Sequence, residues 1–344
     1  MRLRAPVPAA VAFALLSAAC NKDYPNPFVT SGVSKPPPAG AAIVFTTAAW
    51  STATGAGREL FSIGADGTNP TQLTFCNTSS QACDTDAASL APDGKRAAMT
   101  RLKAGVTGIA LVYSDLTRGV EADIVPATAA VNGVDWAANT PEDILAYSGL
   151  GTGGLEDLFR TNPSGTETAN LTSTATIRER KPRIDLGTSV VAYERIEVGG
   201  KTEVFIFVTG TQQARVSPTG PGGALLSGTP YLVGSDTDPS FSPDTSSLVF
   251  RRLTSVDPSG LGTWDIVTAK NDGTGFVTVA SGPAYRGAPD WGTAGIVYPE
   301  IDTAAGTASI VLVQPDGSGR KVLYTQGSRL ALGNPRWLRK VVAP

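Results

Sequence analysis

From residue 41 onward, apolar and polar side chains alternate in short runs broken by Gly, Pro, Asn and Asp. A period of two predicts half-buried β-strands joined by tight turns, not amphipathic helices. One unit recurs: a strand, a turn of Asp-Gly type, a second strand, a loop, then Pro-x-aromatic. Its strand-and-turn half reads RELFSIGADGTNPTQLT at 58–74, EDLFRTNPSGTETANLT at 156–172, TWDIVTAKNDGTGFVTV at 263–279 and ASIVLVQPDGSGRKVLY at 308–324. Two further copies, at 108–125 and 202–217, keep the strands and lose the Asp-Gly. The pairs Asp66-Gly67, Asp272-Gly273 and Asp316-Gly317 suit type I′ hairpins, which need positive φ at both central residues.

The other half of the unit reads ASLAPDGKRAAM, VDWAANTPEDILAY, PRIDLGTSVVAY, PSFSPDTSSLVF, PDWGTAGIVY and PRWLRKVV. Its apolar anchors are Leu90, Trp136, Ile184, Phe241, Trp291 and Trp337, spaced 46, 48, 57, 50 and 46 residues apart. A period near 40–50 residues with four short strands per unit is the signature of a propeller blade. Pro ahead of the anchor fixes the chain where it enters the innermost strand and removes a donor where none is needed.

These units resemble the TolB-type, or WD40-like, propeller repeat, whose pattern runs roughly P-x-W-S-P-D-G-x-x-I-x-F, then a strand, Asp-Gly and Leu-Thr. Leu90-Ala91-Pro92-Asp93-Gly94 and Phe241-Ser242-Pro243-Asp244 match it best, and the resemblance covers residues 41–344. It implies an all-β, six-bladed β-propeller with four-stranded blades. The ends support a closed ring. AAIVFTTA at 41–48 reads as a second strand without its first, and Asn334-Pro335-Arg336-Trp337 as a first strand with little after it. Joining them, Trp337 beside Ile43, completes the sixth blade and leaves no free edge; Val341 and Val342 compete for the same second-strand place. TolB carries an α/β domain before its propeller, where this chain has a short tether.

Composition narrows the chemistry. The 38 Gly and 25 Pro of 344 residues fit a turn-rich β protein. A net charge of −2 without a basic run excludes a nucleic-acid partner. No histidine occurs anywhere, which rules out Ser-His-Asp and Cys-His machinery and leaves no imidazole to ligate a metal. No nucleophile elbow of the G-x-S-x-G type marks a hydrolase domain.

The first twenty residues, MRLRAPVPAAVAFALLSAAC, combine Arg2 and Arg4, a short apolar run and small residues before a cysteine. That is an export signal, too short to span a bilayer. Leu16-Ser17-Ala18-Ala19-Cys20 resembles a bacterial lipobox, with Ser17 where the pattern prefers Leu. The resemblance implies lipidation of Cys20, with Asn21 as an outer-membrane sorting residue; ordinary cleavage before a free Cys20 is the alternative. Residues 21–40 are polar and Pro-rich and read as an extended tether from the membrane surface, with the propeller at 41–344. Cys76 and Cys83 predict a disulfide in an oxidising compartment.

Candidate sites follow from position. The turn aspartates Asp66, Asp93, Asp244, Asp272 and Asp316 are explained by turn hydrogen bonds. Asp236, Asp238 and Asp244 form a weak calcium candidate; no other metal and no cofactor is expected. The residues just before the anchors are Ser89, Asp135, Arg183, Ser240, Asp290 and Arg336. Lining a central channel, Asp135, Arg183, Asp290 and Arg336 would serve either as cross-blade ion pairs or as a polar binding site near the mouth. The long connection 217–235, carrying Leu225, Leu226, Tyr231 and Leu232, is a candidate partner loop or lid. The expectation is a non-catalytic binding or scaffold propeller, held at the outer membrane on its periplasmic side or at the cell surface and recognising a protein or glycan. The alternative is a glycosidase or lyase acting on polysaccharide through carboxylates on the propeller face.

Overall fold

The computed structural model describes residues 33–339, apart from 49–56, 77–82, 104–107, 128–130, 139–142, 152, 186–189, 198, 209–212, 259 and 328–331. The signal segment, Cys20, Val341 and Val342 lie outside the described residues.

The chain is all-β and forms six blades around a central axis. Blade 1 pairs β1 (Ala41–Ala48), β2 (Arg58–Gly64) and β3 (Thr71–Gln72) with the C-terminal β25 (Leu332–Trp337). Blade 2 is β4 (Cys83–Leu90), β5 (Arg96–Lys103), β6 (Ile109–Asp115) and β7 (Val120–Val125). Blade 3 is β8 (Val134–Ala138), β9 (Asp143–Leu150), β10 (Glu156–Thr161) and β11 (Ala169–Asn170). Blade 4 is β12 (Ile177–Ile184), β13 (Val190–Glu197), β14 (Thr202–Val208) and β15 (Gln213–Arg215). Blade 5 is β16 (Asp236–Phe241), β17 (Ser247–Val256), β18 (Gly262–Lys270) and β19 (Val277–Ala280). In blade 6 two short pieces, β20 (Tyr285–Arg286) and β21 (Asp290–Gly292), share the innermost place beside β22 (Gly295–Asp302), followed by β23 (Thr307–Val313) and β24 (Lys321–Gln326).

The innermost strands touch in one cycle: β25 with β4, β4 with β8, β8 with β12, β12 with β16, β16 with β21, and β21 with β25. The ring therefore closes, and it closes at the expected register, with Ile43 opposite Trp337 and Val44 opposite Arg336. A disulfide between Cys76 and Cys83, Cα atoms 6.0 Å apart, ties the end of blade 1 to the first strand of blade 2.

The core lies between blades, because each sheet buries both faces against its neighbours. Val44, Leu60 and Leu73 of blade 1 meet Leu90, Met99 and Val112 of blade 2. Tyr193 of blade 4 meets Ala146 and Leu158 of blade 3, and Val249 of blade 5 meets Ile296 and Tyr298 of blade 6. Each such interface removes an apolar layer from water, at about 1.5–3 kcal/mol per large aliphatic or aromatic side chain.

One expectation of local geometry is corrected. In the Asp-Gly turns only the glycines have positive φ, at 89°, 76° and 85° for Gly67, Gly273 and Gly317. Gly67 N donates to Gly64 O, and Gly64 N to Thr68 O; Gly273 and Gly317 repeat the pattern. This is a type I turn closed by a left-handed glycine, not a type I′ turn. The physical reason is the aspartate, whose carboxylate accepts the amide two residues on: Thr68 N to Asp66, Thr274 N to Asp272 and Ser318 N to Asp316 lie at 2.9–3.0 Å. Asp93 and Asp244 do the same with Lys95 N and Ser246 N.

Candidate functional site: the channel and its vestibule

Alternation of strand direction gives the disc two unlike faces. The turns between first and second strands and between third and fourth strands, with their aspartates, share one face. The opposite face receives the chain as it enters each innermost strand, and there the central channel opens.

At that entry the innermost strands are broken in five of the six blades, β8 of blade 3 keeping an unbroken register. Pairing shifts between Thr85 and Ala88 in β4, between Arg180 and Arg183 in β12, and between Thr237 and Ser240 in β16. The same occurs between Gly333 and Arg336 in β25, while in blade 6 the break separates β20 from β21. Four breaks contain a proline two residues before the anchor: Pro182, Pro239, Pro289 and Pro335. A proline donates nothing to the ladder, so the strand bulges at that point. Just ahead, Gly133, Lys181, Asp238 and Asn334 take positive φ of 80°, 50°, 56° and 41°. For Lys181, Asp238 and Asn334 this conformation is uncommon and costs energy, and such strain concentrates at functional sites. The bulge turns these residues toward the channel, where all three line its mouth.

The mouth has a narrow floor and a wider vestibule. The floor cavity, about 50 Å³, is lined from all six blades, by Ala87, Gly133, Lys181, Arg183, Asp238, Ala288, Asn334 and Arg336 among others. Above it a cavity of about 230 Å³ extends toward blades 1, 5 and 6, along Arg58, Arg251, Tyr285 and Ile301.

The vestibule is an ion-pair lattice. Lys181 Nζ lies 2.9 Å from Asp238 and 3.0 Å from Glu194, and donates to Tyr231 Oη at 3.0 Å. Asp238 also takes the Arg251 guanidinium, which stacks 4.1 Å over the Trp264 ring and donates to Tyr285 Oη at 3.0 Å. Burial opposes the charge on Lys181, but Asp238 and Glu194 outweigh it and hold its pKa well above the ordinary value. Burial likewise works against the Asp238 carboxylate, and Arg251 and Lys181 hold it well below the usual range. Both groups are therefore charged at neutral pH.

Beneath the floor the residues preceding the anchors form one buried network. Ser89 Oγ donates to Asp135 at 2.9 Å, and Ser240 Oγ to Asp290 at 2.6 Å. Arg183 pairs with Asp290 and lies 3.6 Å from Asp135. Arg336 and Arg339 each approach Asp135 at 3.0 Å. The carboxylates also hold the ring together, accepting Ile184 N on Asp135 and Trp337 N on Asp290 at 3.0 and 2.7 Å. Burial would raise the Asp135 pKa, yet Arg183, Arg339 and Arg336 bring it down to about 2. The Arg336 pKa is lowered too, but there the shift opposes the charge: burial and then the like charge of Arg183 push it down to about 9.

All six residues of the row thus meet in the channel, with Arg183 and Arg336 reaching the floor of the mouth and Asp135 and Asp290 lying behind it. The mouth itself is built by the residue three places before each anchor, joined in four blades by the residue before it. Arg339, Lys181, Glu194 and Arg251 were not singled out by the sequence. The acidic cluster does not act as a unit: Asp236 is buried against Arg252, Asp238 against Lys181 and Arg251, and Asp244 caps its own turn. In the connection 217–235, Leu226 and Tyr231 are buried against Leu253 and Trp264, Leu232 pairs with Leu225, and Leu225 is exposed. Much of that loop's apolar content is its own packing, and Tyr231 serves the vestibule wall.

No protein-family model and no curated protein sequence matches the chain. Solved structures do. TolB from Acinetobacter baumannii superposes with a TM-score of 0.63 at 13% identity, over 88% of this chain and 68% of that one. A TolB of Agrobacterium tumefaciens gives 0.57 at 13%, over 83% and 88%. A chain of a nidogen/laminin complex gives 0.59 at 11%, over 88% and 100%. At such identities the similarity establishes a TolB-like six-bladed propeller fold.

Proposed function

We propose that the protein is a non-catalytic binding or scaffold propeller of the bacterial cell envelope, which engages a protein or glycan partner at the vestibule. The observation that carries this reading is the set of strained residues, Lys181, Asp238 and Asn334, turned into the mouth by bulges that recur around the ring. The channel carboxylates Asp135 and Asp238 both face cations that hold their pKa low, an arrangement suited to fixed charge and not to proton donation. That weighs against a paired-carboxylate glycosidase, although an oligogalacturonate lyase from Vibrio parahaemolyticus shares the fold at a TM-score of 0.51 and 9% identity.

The tether supports an orientation. Val33 lies over Gly119 in the β6–β7 turn, and Lys35 N donates to Leu73 O at 2.9 Å. β1 then starts on the turn face, opposite the vestibule. With Cys20 lipidated as the sequence suggests, the mouth would face away from the anchoring membrane, open to a partner. Crosslinking in the native envelope followed by mass spectrometry tests the reading. It should recover one protein or glycan-bearing component in stoichiometric yield. Turnover of a polysaccharide by the purified chain, with no such partner, would overturn it.

A further inference from the structure

We infer that the vestibule is a sugar-binding pocket, which takes one neutral pyranose ring of a glycan between an apolar wall and four open polar groups. The inference rests on the binding reading above and commits it to one class of partner.

The first argument is that charge is already settled. Arg58 holds Asp84 and Asp86, Lys181 holds Asp238 and Glu194, and Arg251 holds Asp238. Each of these cations has its carboxylate, so an ionic ligand would give up its hydration without meeting an unmatched counter-charge. A neutral polar ligand escapes that penalty, provided its groups find hydrogen-bond partners.

The second argument is that such partners are open. Four side chains that line the cavity keep hydrogen-bonding capacity that no described residue uses. Asp86 gives one carboxylate oxygen to Arg58 and keeps the other, Oδ2, on a side chain half exposed. Asn334 donates from Nδ2 to the Asp86 carbonyl at 3.0 Å, and its Oδ1 accepts nothing among the described residues. Arg251 spends Nε and Nη1 on Asp238, Tyr285 and the Arg286 carbonyl, which leaves Nη2 without an acceptor among them. Tyr285 Oη accepts from Arg251, and its own proton has no acceptor there.

Two acceptors and two donors thus come from blades 2, 1, 5 and 6, around the cavity and not along one strand. An extended peptide needs its partners spaced along a line. A hydroxyl both donates and accepts, so the hydroxyls that radiate from a sugar ring suit either kind of group. Those that reach Asp86 and Arg251 make charge-assisted bonds, the stronger class.

The third argument is shape. Pro299, Ile301 and Leu332 line the same cavity, and Ile301 lies opposite Tyr285 across the β20–β22 pair. A sugar ring carries C–H groups on its faces and hydroxyls at its edge, so it matches an apolar surface beside convergent polar groups. The space of about 230 Å³ is below that of a drug-sized site and suits one ring. The floor beyond it, about 50 Å³, has no room for a second.

The test is saturation-transfer NMR on the full exported chain. The probes are glucose, galactose, mannose and N-acetylglucosamine, with glucosamine and galacturonate as charged counterparts and N-acetyl-triglycinamide as a neutral peptide. At least one neutral sugar should bind saturably, with transfer strongest to ring C–H protons, and more tightly than either charged sugar or the peptide. Asp86→Ala should weaken that binding about ten-fold or more, as expected for a charge-assisted hydrogen bond. Ala288→Leu narrows the cavity and leaves the four open groups in place, so it should abolish binding even if Asp86→Ala disturbs Arg58. Tighter binding of a charged sugar or of the peptide, or sugar binding that survives Ala288→Leu, would overturn the inference. Absence of any sugar binding, with mouth crosslinks to a protein intact, would also overturn it and leave the binding reading standing.

Discussion

The two faces of the disc use aspartate in opposite ways. On the turn face Asp66, Asp272 and Asp316 are exposed, and hydrogen bonds from the Thr or Ser two residues on hold their pKa below the ordinary value. On the channel side Asp135 is buried and Asp238 half-buried, and arginine and lysine from other strands and blades do the same. The first arrangement is local and repeats wherever the turn repeats. The second is long-range, differs in every blade, and exists only once the ring has closed. A repeat therefore specifies the scaffold, and departures from it specify the site.

Removing one side of each arrangement should separate them. Asp135→Asn leaves three guanidiniums around a neutral side chain, so thermal or denaturant unfolding should show a loss of about 3–5 kcal/mol. A loss below about 1 kcal/mol would mean that the network is not closed as described.

Acid should act on the same group. The folded Asp135 pKa of about 2 lies below its ordinary 3.8, so its contribution is complete above about pH 4 and is lost as pH falls through about 2. Asp238, also held low, acts in the same direction. Melting temperature followed from pH 6 to pH 2 should fall in that window, and less steeply in Asp135→Asn. Equal slopes in the two proteins would contradict the assignment.

The smallest effect belongs to the turn face. Asp272→Ala removes hydrogen bonds at 3.0 and 2.6 Å from an exposed loop, where water replaces them, and should lower the melting temperature far less than Asp135→Asn. A cost comparable to that of Asp135→Asn would erase the contrast.

How much of this was legible in sequence follows the same division. The anchors Leu90, Trp136, Ile184, Phe241, Trp291 and Trp337 all fall on innermost strands, and Trp337 pairs with Ile43 as the broken unit at each end required. Period and composition carry that information because blade packing demands it at each repeat. The turn type did not follow from Asp-Gly alone, since the aspartate carboxylate decides between two turns that share the dipeptide. The residue row before the anchors was visible, but its depth was not, because the bulge that sets it depends on Pro182, Pro239, Pro289 and Pro335. The pairs Lys181-Pro182, Asp238-Pro239, Ala288-Pro289 and Asn334-Pro335, aligned on their anchors, held that signal. Arg339 had none: it occurs once, beyond the last anchor, and meets Asp135 only through ring closure.

The central claim is that the vestibule, and not the turn face, receives the partner. A photo-reactive residue placed at Ala288 in the mouth, or at Ser246 on the turn face, and irradiated in the native envelope tests it directly. The account predicts a discrete adduct from position 288 and none from position 246. An adduct from Ser246 with a silent Ala288 would contradict it.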